Sequence, residues 1–104
     1  MSSARVEILS FSGCPHAGAA YELVESVAAE LGLDPEIEVI DVSDNEQAAA
    51  LRFLGSSTVR GGGCDVEPGA GEREDYVLAC RIYRGDEGAS GLPRREWIRE
   101  ALVR

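Results

Sequence analysis

The feature that most constrains this chain is an abrupt change of period. Residues 5 to 11, RVEILSF, form a short β-favouring apolar run, and a helical pattern begins a few residues later. From Ala17, apolar side chains recur at Ala20, Tyr21, Val24, Val27, Ala28 and Leu31, the i, i+3, i+4 spacing of one helix face. Glu22, Glu25, Ser26 and Glu30 take the wet face, and Gly32 supplies a stop. A strand feeding directly into an amphipathic helix implies a crossover unit, with a sheet that the helix covers. At the junction stand Gly13, Cys14, Pro15 and His16, the last being the chain's one histidine. Pro15 suits the first helical position, where its missing N–H costs nothing.

The rest of the chain continues the pattern. Residues 36 to 42, EIEVIDV, predict a second strand. A capping box follows, Ser43 with Glu46 or Asp44 with Gln47, and it opens a second helix predicted to run to about Leu54 and to end at Gly55. Thr58 to Arg60 predict a short strand. The glycine-rich, charged stretch from 61 to 75 predicts a loop. Residues 76 to 83, YVLACRIY, predict a strand, and a second loop follows. Trp97, Ile98, Ala101 and Leu102 mark a closing helix. The expected order is β-α-β-α-β-β-α, an α/β domain with a parallel first pair, an antiparallel last pair and helices on both faces. Residues 1 to 104 are the size of one domain.

Composition narrows the function classes. The formal charge is −9, every basic residue is an arginine, and the ten arginines are scattered. An acidic surface without a basic stripe repels phosphate backbones, so no nucleic acid partner is expected. No apolar run reaches membrane-spanning length, and no membrane partner is expected. The first residues carry neither a long apolar core nor a small-residue cleavage site, so no signal peptide is expected and a cytoplasmic location is. Cys14, Cys64 and Cys80 are spaced by 50 and 16 residues, which fits no zinc pattern. Reduced thiols, at least one with a chemical role, are the expectation.

This order, with a cysteine at the first strand-to-helix turn, resembles the thioredoxin fold over nearly the whole chain. Gly13-Cys14-Pro15-His16-Ala17 is similar to the Cys-Pro-His-Cys site of bacterial disulfide oxidases and the Cys-Pro-x-Cys site of glutaredoxins, with the second cysteine replaced by Ala17. The resemblance implies that Cys14 is the attacking thiol. It also implies that Ser57 occupies the place of the cis-proline that faces that thiol, just before Thr58. Pro15, Ser57 and Thr58 would then contact substrate. A cis peptide before a non-proline residue costs roughly 2.5–4 kcal/mol, so a trans bond is expected before Ser57. The stretches GCPH, LGSST and ACRIY also resemble small bacterial thioredoxin-like proteins, some encoded beside mercury-resistance genes.

The chemistry expected at Cys14 follows from its place. A thiol attacks as thiolate, and the free N–H groups and dipole of a helix start favour an anion. His16 can add a hydrogen bond or a charge. Three functions are open. The first is a monothiol disulfide oxidoreductase with Cys14 as nucleophile and His16 tuning it. It needs no bound cofactor, and it acts on small thiols or protein disulfides with glutathione as co-substrate. The second is a soft-metal carrier, for mercury or copper, with Cys14 and Cys64 as ligands, or Cys80 in place of Cys64. The third is an adaptor without redox work. Cys80 is expected in the core and Cys64 on a mobile loop. Asp65 to Pro68 could hold a cation with Cys64 or be a solvated turn.

Overall fold

A computed structural model describes residues 5–14, 16–85 and 88–103. Strand β1 (Arg5–Ser10) lies at the centre of a four-stranded mixed sheet ordered β2-β1-β3-β4. β2 (Glu36–Asp41) runs parallel to β1, from Arg5 opposite Glu36 to Ser10 opposite Asp41. β3 (Thr58–Gly61) runs antiparallel on the other side, with Leu9 opposite Thr58 and Val6 opposite Gly61. β4 (Cys64–Asp65) is antiparallel to β3. The chain thus folds as an α/β, thioredoxin-like domain, with three helices on the two faces of the sheet.

The alternation of β1 builds both faces. Val6 and Ile8 point to one side, where they pack with Val24, Val27 and Ala28 of α1 (Ala17–Glu30) and Ile98 and Leu102 of α3 (Arg95–Val103). Leu9 points to the other side, into a smaller cluster with Val42, Phe53 and Ala48 of α2 (Asn45–Ala50). Tyr21, expected inward, sits at the margin of the α1 stripe and is exposed, while Trp97 is half-buried against the first cluster.

α1 ends as the sequence predicts. Gly32 takes φ 68°, its N–H bonds to Ala29 O, and Leu33 N–H reaches Ala28 O, a Schellman motif. The second helix ends one turn earlier than expected. Asp44 caps it, its Oδ1 accepting from Gln47 N at 2.7 Å, and Gln47 Oε1 accepts from Ser43 N. At the other end the same Schellman bonds form around Arg52, at φ 56°, with Arg52 N–H to Ala49 O and Phe53 N–H to Ala48 O. The Arg60 guanidinium then closes on Leu51 O and Arg52 O, a cation on the last carbonyls of a helix. Burial of Phe53 and Leu54 draws the chain out of the helix before Gly55 is reached.

The fourth strand is not where the sequence placed it. Cys64–Asp65 pairs across a tight Gly62-Gly63 turn, inside the expected loop. Residues 76–82 do not extend the sheet. Their backbone pairs at one point, a parallel bridge between Cys80 and Ser56, the residue that leads into β3. Tyr83–Gly85 (β5) and Gly88–Ser90 (β6) form a separate hairpin. The expected strand does alternate, but in the opposite phase. Arg81 and Tyr83 are buried, and Ile82 and Cys80 face out.

Candidate active site

Cys14 sits just beyond the C-terminal end of β1, in a turn that its own N–H closes onto Phe11 O at 3.1 Å. It is a free, half-buried thiol. α1 begins three residues later, with His16 at the N-cap position and no side chain capping the first turn. No acidic residue lies in that turn, so the positive end of the helix dipole is not offset there. Ala17, in the place of a second cysteine, is the first helical residue. Pro15 lies outside the described residues. The His16 ring packs on Gly91, between β6 and α3. A Cβ built on Gly91 would fall 2.5 Å from His16 Nε2, so only glycine leaves the imidazole its room.

The antiparallel pairing of β1 and β3 brings the Ser56-Ser57-Thr58 turn to the same end of the sheet as Cys14. Ser56 Oγ accepts from Phe11 N at 3.4 Å, tying the turn to the backbone that leads into the Cys14 loop. The Ser56–Ser57 peptide is cis, which corrects the trans expectation. Groups on both sides clamp this turn. Ser56 N–H donates to Ala79 O and Ser56 O accepts from Arg81 N, each at 2.8 Å. The Tyr83 hydroxyl donates to Ser57 O at 2.6 Å, and Thr58 Oγ1 donates to Gly55 O at 2.6 Å. Ser57 and Thr58 are wholly buried, so neither side chain stands at the surface to meet substrate. Ser57 Oγ has no hydrogen-bond partner among the described residues.

Behind this turn lies a charge network that the sequence did not announce. The Arg81 guanidinium is buried. It donates to Asp65 Oδ2 at 2.7 Å, Glu67 Oε1 at 2.7 Å and Thr58 Oγ1 at 3.1 Å. It also lies 4.3 Å from the Tyr83 ring centroid. The cation held by Asp65 and Glu67 is therefore an arginine of the chain itself. Burial raises the Tyr83 phenol well above its ordinary value, against the pull of the adjacent Arg81 charge. A signal for this cluster existed in Asp65 and Glu67, two carboxylates with one residue between them, but nothing local pointed to Arg81 as their partner.

The three thiols are not brought together. Cys64 pairs opposite Gly61, which pairs with Val6 at the start of β1, so it lies at the far end of the sheet from Cys14. It is exposed and borders a groove of about 770 Å³ with Arg60, Arg73 and Tyr76, and Cys14 is not part of that groove. Cys80, expected in the core, is exposed, because the Arg81 network sets the phase of its segment. Among the described residues no three His, Cys, Asp or Glu side chains gather as a metal site. Among them, too, no helix is long and apolar enough to cross a membrane.

No family model and no solved structure matches the chain. A curated thioredoxin of Methanocaldococcus jannaschii is 41% identical to it over 49 residues. The match takes in 47% of this chain and 58% of that thioredoxin, so the two correspond over little more than half of the relative's length.

Proposed function

We propose that the chain is a thiol–disulfide oxidoreductase with Cys14 as its nucleophile. The observation that carries this reading is the position of Cys14. A half-buried free thiol stands between the end of the central strand and the uncapped start of α1, at the same end of the sheet as the Ser57 turn. The partial likeness to a thioredoxin supports the same chemistry.

The Cys14 sulfur attacks one sulfur of a disulfide substrate in line with the S–S bond. A mixed disulfide forms on Cys14, and the other half leaves as a thiolate. The open amides of the first α1 turn favour negative charge at this end of the fold. His16, held against Gly91, is the titratable group nearest in sequence and is proposed to tune the thiol. Ser57 and Thr58 act through the backbone shape of the turn. Ala17 cannot resolve the mixed disulfide, so another thiol must attack it, and glutathione or another small thiol is proposed as the reductant that finally returns the Cys14 thiol, itself leaving as a disulfide.

The Cys14–Cys64 ligand pair expected of a soft-metal carrier is not assembled, since Cys64 stands at the other end of the sheet. The oxidoreductase reading is tested by turnover of a glutathione mixed disulfide by the purified protein. Activity that disappears in Cys14→Ala is expected. Equal activity in the variant, or no turnover with any thiol donor, overturns it.

A further inference from the structure

We infer that Cys80, not Cys64, is the second thiol of this site, and that it closes onto Cys14 to form an intramolecular disulfide. This rests on Cys14 acting as the nucleophile proposed above. Both thiols hang from one serine. Ser56 takes Phe11 N–H on its Oγ, and Phe11 O takes Cys14 N–H. On its other side Ser56 exchanges backbone bonds with Ala79 and Arg81, the two neighbours of Cys80. Two adjacent-strand spacings of about 5 Å and one turn of under about 7 Å bound the distance between the two Cα atoms at roughly 17 Å. Cys64 is a full length of β1 further off.

A disulfide needs the Cα atoms within about 7 Å, so any separation beyond that is closed by movement of the Cys14 turn or of the backbone at Cys80. Arg81 is fixed by its carboxylates and by Thr58. The residues before it belong to no named strand, but they are held: the Tyr76 hydroxyl accepts from Arg52 Nε, Val77 N–H reaches Phe53 O, Leu78 packs on the second core cluster and Ala79 O accepts from Ser56 N–H. Cys80 is exposed between Ala79 and Arg81, on the segment that Ser56 holds at the Cys14 end of the sheet.

The electrons balance without a further oxidant. A disulfide substrate RSSR′ is attacked by Cys14, and R′S⁻ leaves and takes up a proton. The Cys80 thiolate attacks Cys14 Sγ in the mixed disulfide, the Cys14–SR bond breaks, and RS⁻ leaves. The substrate is reduced to two thiols and the protein is oxidised to one disulfide, to be reduced again by a small thiol.

The test uses the reduced full chain, Cys64→Ser and Cys80→Ser, each treated with an equivalent of glutathione disulfide, acid-quenched and digested with trypsin. With arginine as the one basic cleavage residue, Cys14, Cys64 and Cys80 fall on the separate peptides 6–52, 61–73 and 74–81. The expected result is 6–52 linked to 74–81 in the wild type and in Cys64→Ser, unchanged on dilution, with no glutathione left on Cys14. Cys80→Ser should lose that link and accumulate glutathione on Cys14. A Cys14–glutathione adduct as persistent in Cys64→Ser as in Cys80→Ser overturns the inference. So does a link from 6–52 to 61–73, or one that disappears on dilution. Cys14 left unmodified in all three proteins overturns the oxidoreductase reading as well, so the two failures differ.

Discussion

At the scale of the residue, Tyr83 and Arg81 support the turn at the Cys14 end of the sheet, and each makes a measurable prediction. The Tyr83 phenol is buried and its pKa is raised above 10.0. The folded state therefore holds that proton more tightly than the unfolded chain does. The stability this supplies is fully present below the unfolded pKa and is lost as pH rises towards the folded one. Tyr83→Phe removes the hydrogen bond to Ser57 O and should cost about 1 kcal/mol at neutral pH. The deficit should shrink in denaturation curves taken above about pH 10, because the variant has no phenol to ionise. Parallel pH profiles for the two proteins would refute this. Arg81 carries more. Arg81→Met leaves Asp65 and Glu67 facing a neutral chain in a half-buried place, and a loss of about 3–5 kcal/mol is expected in urea denaturation. A loss below about 1 kcal/mol would mean that water solvates the carboxylates as well as Arg81 does.

At the scale of the element, the close approach of α3 to β3 is set by one missing side chain. A Cβ on Gly61 would lie 2.8 Å from Ala101 Cβ. Gly61→Ala should cost about 1–3 kcal/mol, since two packed elements must part. In an Ala101→Gly background that cost should fall, a coupling that a double-mutant cycle measures; strict additivity would show that the contact is not the cause. Elements with a clean period were legible in the sequence: β1, α1, β2 and α3 lie where the apolar spacing put them, and Gly32 ends α1. The end of α2 was not legible, because an arginine fills the left-handed position that glycine usually marks. The stretch 76–83 was misread for a sharper reason. Its alternation is real, but a one-residue change of phase turns every side chain over. Arg81 goes inward because Asp65 and Glu67 wait for it, and Cys80 and Ile82 go outward in consequence. The position of Cys14 could be read from the strand-to-helix junction, whereas that of Cys80 depends on a partner in another loop, which local pattern does not reveal.

At the scale of the whole molecule, the sheet sorts the thiols and the charge decides what reaches them. Cys14, the Ser57 turn and Cys80 gather at one end, and Cys64 is left at the other. The chain as a whole carries a formal charge of −9. A disulfide of net negative charge, such as glutathione disulfide, must approach Cys14 against that field, whereas a neutral one need not. At about 0.01 M salt the screening length is near 30 Å, comparable to the 36 × 30 × 26 Å molecule, so the whole field is felt. At about 0.3 M it is well under 10 Å, and only local charges remain. The rate at which glutathione disulfide modifies Cys14 in a Cys64→Ser protein should therefore rise several-fold across that range. The rate for neutral hydroxyethyl disulfide should stay nearly flat, and the rate for cationic cystamine should fall. One common slope for the three reagents would show that salt acts on the conformation of the Cys14 loop and not on the approach of the substrate. Three slopes ordered by reagent charge would identify the acidic surface as a filter that favours neutral or cationic disulfides over glutathione disulfide at low ionic strength.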